Sequence, residues 1–479
     1  MNYAMIRYII GSILKIEAVF LGFTCIVSFI YRESAGISFF IVMLISFILG
    51  FFLSRKKPEN TAIYAKEGFI SVSLGWFLIS FVGAFPYYLS GEITNFFDAL
   101  FESVSGFTTT GISLLSDIET LSYTSLFWRN LTHWMGGMGV LVLLLSILRM
   151  TGGQHMTLMR AESTGPFIQK MVPRVGDTAR ILYAIYIGLT LLQTLILAIC
   201  GLSWFDSITL SFSTAATGGF GISNAGLIAH APHIQLIVAL FMMLFGMNFN
   251  IFYLILRKRT KQAFASEELR VYLSIIGIST IFLALNTLHI FSSFALALKH
   301  SFFQSVSFLT STGFYSTTYE NWPQFSKLFL IILMTIGGCA GSTGGGIKVS
   351  RFIIVFKTIK RELMVLIHPR AIKKLTMDGH PIERETIRSV NIFFFCYLLI
   401  FISSVLIVSI DNHDFISNFL SITATINNAG PNLELSGSTS NFSDYSRLSQ
   451  IVFMFNMMAG RLEIFPVLAF FMPATWRKR

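Results

Sequence analysis

Charge is what this sequence has least of. Only 12% of its 479 residues are Asp, Glu, Lys or Arg, against 54% hydrophobic and 15% aromatic. A water-soluble chain of this length cannot hide so much apolar surface, so the solvent that fits is a bilayer. Cysteine is nearly absent too. Cys25, Cys200 and Cys396 sit within apolar runs, Cys339 sits in a glycine cluster, and none has CxxC spacing. They read as reduced packing residues, which excludes a disulfide framework and a thiolate metal site. The apolar segments lack any convergent set of His, Asp, Glu and Cys, so a membrane enzyme is not expected. A cleavable leader is not expected either: the first apolar stretch runs to Phe29-Ile30 with no small-residue cleavage site, and a second follows closely.

What is present is a series of ten apolar segments, near 8–30, 35–53, 68–90, 124–148, 180–202, 233–256, 270–292, 325–350, 388–410 and 447–472. Each is long enough to cross ~30 Å of hydrocarbon. Between them lie four shorter pieces near 97–109, 205–217, 299–311 and 415–427. A 12-residue helix reaches only ~18 Å. Such a piece enters the membrane without crossing it, and its irregular end must line a cavity or be buried in protein.

The formal charge of +11 would suit nucleic acid, but its distribution points to a membrane face. Arg7, the basic loops at 55–66, 149–180, 257–270 and 348–388, and the terminal Arg477-Lys478-Arg479 place 28 cations on one side. Five lie on the other (Arg32, Arg129, Lys299, Lys327 and Arg447), and Lys15 and Arg461 fall within spans. By the positive-inside rule both termini are cytoplasmic and the short pieces dip in from outside. No nucleic-acid partner is expected.

The short pieces repeat one another. FESVSGFTTTGIS (101–113), TLSFSTAATGGFG (209–221), FQSVSFLTSTGFY (303–315) and LSITATINNAGPN (420–432) align without gaps on Gly111, Gly219, Gly313 and Gly430. Six residues earlier stand Ser105, Ser213, Ser307 and Ala424, and eight earlier Ser103, Ser211 and Ser305. Asp98 and Asp206, thirteen before their glycines, are candidate helix caps. The unit is span, half-helix, loop, span, occurring four times in parallel after a two-span preface. The expected fold is therefore an all-α polytopic membrane protein with four helix–pore loop–helix repeats in a pseudo-fourfold ring. Its parts are an N-terminal pair of helices (1–60) and pore repeats at 61–160, 161–262, 263–365 and 366–479.

Four half-helices dipping inward would aim their C-terminal ends, each roughly −0.5 elementary charge, at one point, which favours a cation. The stretch after each is small, polar and uncharged. The candidate ion-binding residues are Thr109, Thr110 and Gly111; Thr217, Gly218 and Gly219; Ser311, Thr312 and Gly313; Asn428, Ala429 and Gly430. The glycines permit a positive φ that turns carbonyls to the axis, and a ring of carbonyls replaces part of an ion's hydration shell. A secondary transporter with broken helices around a midplane site is the rival, but it predicts inverted repeats where these are parallel.

TTTG (108–111), ATGGFG (216–221), TSTGF (310–314) and NNAGP (427–431), with HWMGGMG (133–139) and GGCAGSTGGGIK (337–348), resemble the Trk/Ktr/HKT superfamily of K⁺ transporters. The likeness covers nearly the whole chain, and the two-span preface is similar to the TrkH branch. It implies K⁺ as transported ion with no cofactor, a homodimer with one ion path per subunit in the bacterial inner membrane, and a cytoplasmic nucleotide-binding regulatory partner of the TrkA type. Gly111 favours K⁺, since Ser stands there in some Na⁺-selective relatives. Coupling to H⁺ or Na⁺ stays open.

The resemblance also implies two gates. One is Arg461 as a positive plug below the filter; the alternative is an ion pair with Glu463. The other is the six-glycine stretch 337–346, with Gly338, Cys339, Gly341, Gly344 and Gly345, as an intramembrane loop; the alternative is helix packing. Lys348 follows it without the order of a phosphate loop. His133 and Trp134 read as interfacial anchors, and Glu102 and Gln304, at equivalent repeat positions, as packing or hydrogen-bonding residues. The basic stretch 357–388 is a candidate docking surface for the regulatory partner or for anionic membrane lipid.

Overall fold

Two apolar helices open the chain. The first, α1 (Tyr3–Tyr31), is 29 residues and about 43 Å long at 1.5 Å per residue. Asn2 caps it, accepting from the Met5 amide at 3.1 Å. It packs along α2 (Gly36–Ser54), where a methyl on Gly11 would sit 2.8 Å from Leu53, a small-residue crossing of the kind lipid-embedded helices use. The computed structural model describes residues 1–56, 58–59, 65–150, 175–319, 321–369, 374–430 and 442–476. Lys57, Arg160, Lys170, Arg174, Arg370 and Lys373 of the basic loops, Pro431 and Asn432 of the fourth repeat and the terminal Arg477-Lys478-Arg479 lie outside them.

Four units follow. The first has α3 (Ala65–Leu89), the half-helix α4 (Phe96–Phe107) and α5 (Tyr123–Met150). The second has α6 (Val175–Ile199), the half-helix α7 (Trp204–Ala215), and α8 (Pro232–Phe245) with α9 (Phe249–Leu256) bent 90° from it. A short α10 (Thr260–Ala265) leads to the third: α11 (Glu267–Thr287), half-helix α12 (Phe294–Leu309), α13 (Gln324–Ile336) and α14 (Val349–Ile367). A two-stranded antiparallel hairpin, β1 (Thr376–Met377) and β2 (His380–Pro381), precedes the fourth. That unit has α15 (Arg384–Val408), half-helix α16 (Phe415–Ile426), α17 (Arg447–Arg461), α18 (Phe465–Phe471) and α19 (Pro473–Trp476). Among the described residues six helices are long and apolar enough to cross a membrane, or seven with the bent pair as one span. The protein is a multi-pass, helical membrane protein with four parallel units and a two-helix preface.

Three of the ten expected spans are not continuous. The sequence reading anticipated a break only at 337–346. The helices also stop at 246–248 and 462–464. The first break is set by Gly246 and by Asn248, which caps α9 with its side chain. The last has Glu463 and Ile464 at φ 57° and 68°, a conformation that a β-branched residue adopts only under outside constraint.

The half-helix caps also differ from expectation. Asn95 and Ser203 cap α4 and α7, accepting from the Phe97 and Asp206 amides at 2.9 and 3.0 Å. Asp98 and Asp206 stand in the first turn instead, where their charge favours the helix N-terminus. Several cations counted to the membrane faces are interior: Arg129, Lys327, Lys348 and Arg351 are all buried.

Candidate functional site

All four half-helices end the same way. Two residues before each aligned glycine the chain turns left-handed: Thr109 (φ 55°), Thr217 (53°), Ser311 (60°) and Asn428 (49°). The next amide reaches back five residues, Thr110 to Ser105 O (3.0 Å), Gly218 to Ser213 O (2.9 Å), Thr312 to Ser307 O (2.9 Å) and Ala429 to Ala424 O (3.0 Å). This is a Schellman cap, in a position where glycine is the usual occupant. The sequence reading gave the left-handed turn to the aligned glycines alone. Gly111, Gly219 and Gly313 do have φ 79°, 83° and 81°; Gly430 does not share that conformation. In the first three strands a residue without positive φ (Thr110, Gly218, Thr312) stands between two left-handed ones, whereas the fourth strand has Asn428 alone.

The strands close into a ring in chain order. A Cβ on Gly111 would lie 2.0 Å from Gly218 O, one on Gly219 2.0 Å from Thr312 O, and one on Gly313 2.4 Å from Gly430 Cα. Asn428 completes the circuit by donating from Nδ2 to Thr110 Oγ1 at 3.0 Å. Below this ring, Gly346 N–H donates to Asn427 O (3.0 Å), and a Cβ on Gly345 would meet the same oxygen at 2.1 Å. The six-glycine stretch therefore runs directly against the inner end of the fourth strand. Arg461, 7% exposed, donates to Thr343 O of that stretch (2.9 Å) and to Gly136 O of α5 (2.7 Å). Glu463, the partner in the alternative reading of Arg461, instead receives Arg351 Nη2 at 2.8 Å. Among the described residues no three His, Cys, Asp or Glu side chains gather as a metal site.

The family model for TrkH, described as a cation transport protein, matches residues 35–478. The chain belongs to this family. Its full length is 35% identical to the whole of the Trk system potassium uptake protein TrkH of Escherichia coli K12. It is 31% identical to an uncharacterized cation transporter of Methanocaldococcus jannaschii, over 97% of this chain and 94% of that one. The crystal structure of the potassium transporter TrkH from Vibrio parahaemolyticus superposes with a TM-score of 0.90 at 31% identity, covering all of both chains.

In this TrkH-family chain the ring is held from behind by side chains that spacing alone did not reveal. Thr108 and Thr310 each bond the helix carbonyl four residues back (2.7 and 2.8 Å) and the threonine two ahead (2.8 and 2.7 Å). His133 is not at an interface: it is fully buried, bonds Gly106 O at 2.7 Å and stacks on Phe220 at 4.1 Å. Trp134 donates to Thr190 Oγ1 at 3.2 Å, between helices. Glu102 accepts from Ser113 Oγ at 2.8 Å and pairs with Arg129, whose guanidinium lies 3.7 Å over the Phe220 ring. Gln304, its counterpart, accepts from Tyr319 OH at 3.0 Å. The sign that such residues mattered was a charge inside a span, Arg129 above all, which the sequence reading assigned to the outer surface.

Proposed function

We propose that this protein takes up K⁺ across the bacterial inner membrane through one pore per chain. The single observation that carries the reading is the closed ring of four strands, each entered by a left-handed residue, with a second left-handed residue two positions on in the first three. It supports a filter made of main-chain oxygens from Thr109–Gly111, Thr217–Gly219, Ser311–Gly313 and Asn428–Gly430, with no carboxylate in the ring. A membrane potential negative inside favours inward movement by ~2.3 kcal/mol per charge per 100 mV, so no cofactor is required. The excess of cations in the loops supports cytoplasmic termini.

The stretch from Gly338 to Gly345, pressed on the fourth strand, and Arg461, bonded to it, form the gate below. Two arginine donors committed to Thr343 and Gly136 make Arg461 a strut of the loop as well as a positive charge near the path. The relatives' names mark them as parts of a Trk system. By family resemblance this chain pairs as a homodimer and meets a cytoplasmic nucleotide-binding subunit of the TrkA type. Coupling to Na⁺ or H⁺ is the second reading; the repeats are parallel rather than inverted, which favours the channel-like one. The test is growth at micromolar K⁺ of a strain lacking its own uptake systems. Rescue is expected from the parent, and failure at normal membrane abundance would overturn the assignment.

A further inference from the structure

The loop 337–348 is tied down at one point by a carboxylate that nothing above assigns. Glu268, in the first turn of α11, is 5% exposed. Its Oε1 accepts from the buried Ala340 amide at 2.7 Å and its Oε2 from Asn248 Nδ2 at 3.4 Å. Around it the loop pairs with the break between α8 and α9: Cys339 N to Gly246 O (2.9 Å) and Phe249 N to Gly341 O (3.2 Å). The neighbouring Glu267 faces the other way. Its amide donates to Asp378 Oδ1 (2.6 Å) in the hairpin turn, and its carboxylate takes Lys357 Nζ (2.6 Å), which also holds Thr376 O (2.7 Å). Met377 of the hairpin is buried in the same apolar cluster as Cys339 and Ile353.

Two adjacent carboxylates thus join a hairpin outside the membrane-spanning segments to a loop inside them. We propose that Glu268 is a positioning residue that latches the loop, and that displacement of the hairpin through Glu267 and Lys357 is the cytoplasmic input that releases it. The proposal rests on the gate reading of the loop. A carboxylate fits because losing it leaves the Ala340 amide orphaned in the interior, a penalty larger than the net worth of an ordinary hydrogen bond.

Cys339, beside the latched amide and fully buried, is a built-in reporter. The test uses the full chain in liposomes with Cys25, Cys200 and Cys396 changed to Ser. It measures modification of Cys339 by a thiol reagent applied to the cytoplasmic side, and Rb⁺ uptake in parallel. Glu268→Ala should speed modification by about tenfold or more, while Glu268→Gln, which keeps an acceptor oxygen, should stay near the parent. Glu268→Asp, one methylene short, serves if the alanine variant does not fold, and Lys357→Met should speed modification from the hairpin side. Faster modification with unchanged uptake keeps the latch and removes the gate reading. Unchanged modification in well-folded Glu268→Ala, or in Glu268→Asp where that variant replaces it, overturns the latch, whatever the uptake.

Discussion

The ring glycines are not equivalent, and alanine at each should reveal it. At Gly219 a new Cβ lies 2.0 Å from Thr312 O, where ordinary contact begins at 3.4 Å, so the neighbouring strand must retreat by about 1.4 Å. Overpacking of that kind costs roughly 1–3 kcal/mol. The residue is also held at φ 83°, which adds about 1–2 kcal/mol for a side chain. The sum is about 2–5 kcal/mol, falling on the ring itself. Gly111, with the same 2.0 Å contact to Gly218 O and φ 79°, should match it. At Gly430 the nearest atom is Gly313 Cα at 2.9 Å and no left-handed penalty applies, leaving about 1 kcal/mol at the low end of overpacking. Complementation across a K⁺ series, with Na⁺ competition of Rb⁺ uptake, reads the difference. Gly111→Ala and Gly219→Ala should lose growth at micromolar K⁺ and lose discrimination against Na⁺, while Gly430→Ala keeps most of both. Equal damage at Gly430 and Gly219, at matched membrane abundance, would refute the reasoning.

Arg461→Ala should raise Rb⁺ flux, since a full charge ~4 Å from a passing ion costs it ~4 kcal/mol at an effective dielectric of 20; equal or lower flux at normal abundance removes the plug role. Deleting Cys339–Gly345 should raise conductance in planar bilayers, and unchanged transport in a folded deletion would separate the loop from gating. Glu102→Ala strands the buried Arg129 and should lower stability by about 3–5 kcal/mol in thermal melts, with Glu102→Met/Arg129→Met recovering much of it. Outside the spans, the Asn224 side chain and the Glu119 amide hold the Asp117 carboxyl below its usual range. A depressed carboxylate contributes stability above its unfolded value that is lost as pH falls through the folded one. Amide protection at Glu119, corrected for the intrinsic pH dependence of exchange, should therefore fall only below about pH 4, and Asn224→Ala should weaken that acid dependence while the Glu119 amide keeps part of it.

The repeat was legible because it is written in small residues at fixed spacing. Gly111, Gly219, Gly313 and Gly430 aligned without gaps, and the half-helices follow within a few residues, α12 excepted. It begins at Phe294, earlier than expected, because Ser293 supplies the cap at 3.3 Å to Leu296 N. The break at 337–348 was legible from its glycines. The breaks at 246–248 and 462–464 were not, since one glycine or none marks them and the constraint is tertiary: Gly246 O receives the Cys339 amide, and Arg351 claims Glu463. For the same reason hydropathy could not separate Arg129 or Arg351 from surface cations. Burial with Glu102 or over the Phe393 ring, at 3.7 Å, is a property of the assembled helices.

The hydrogen bond from Asn428 to Thr110 joins residues 318 positions apart in sequence. Translation must be nearly complete before that seam can form, and units made early fold first. A ribosome-bound chain holding three units has an open arc, not a circle, so the filter proposed above is incomplete until the fourth unit arrives. Premature termination anywhere before the last unit should likewise yield an inert product rather than a hole.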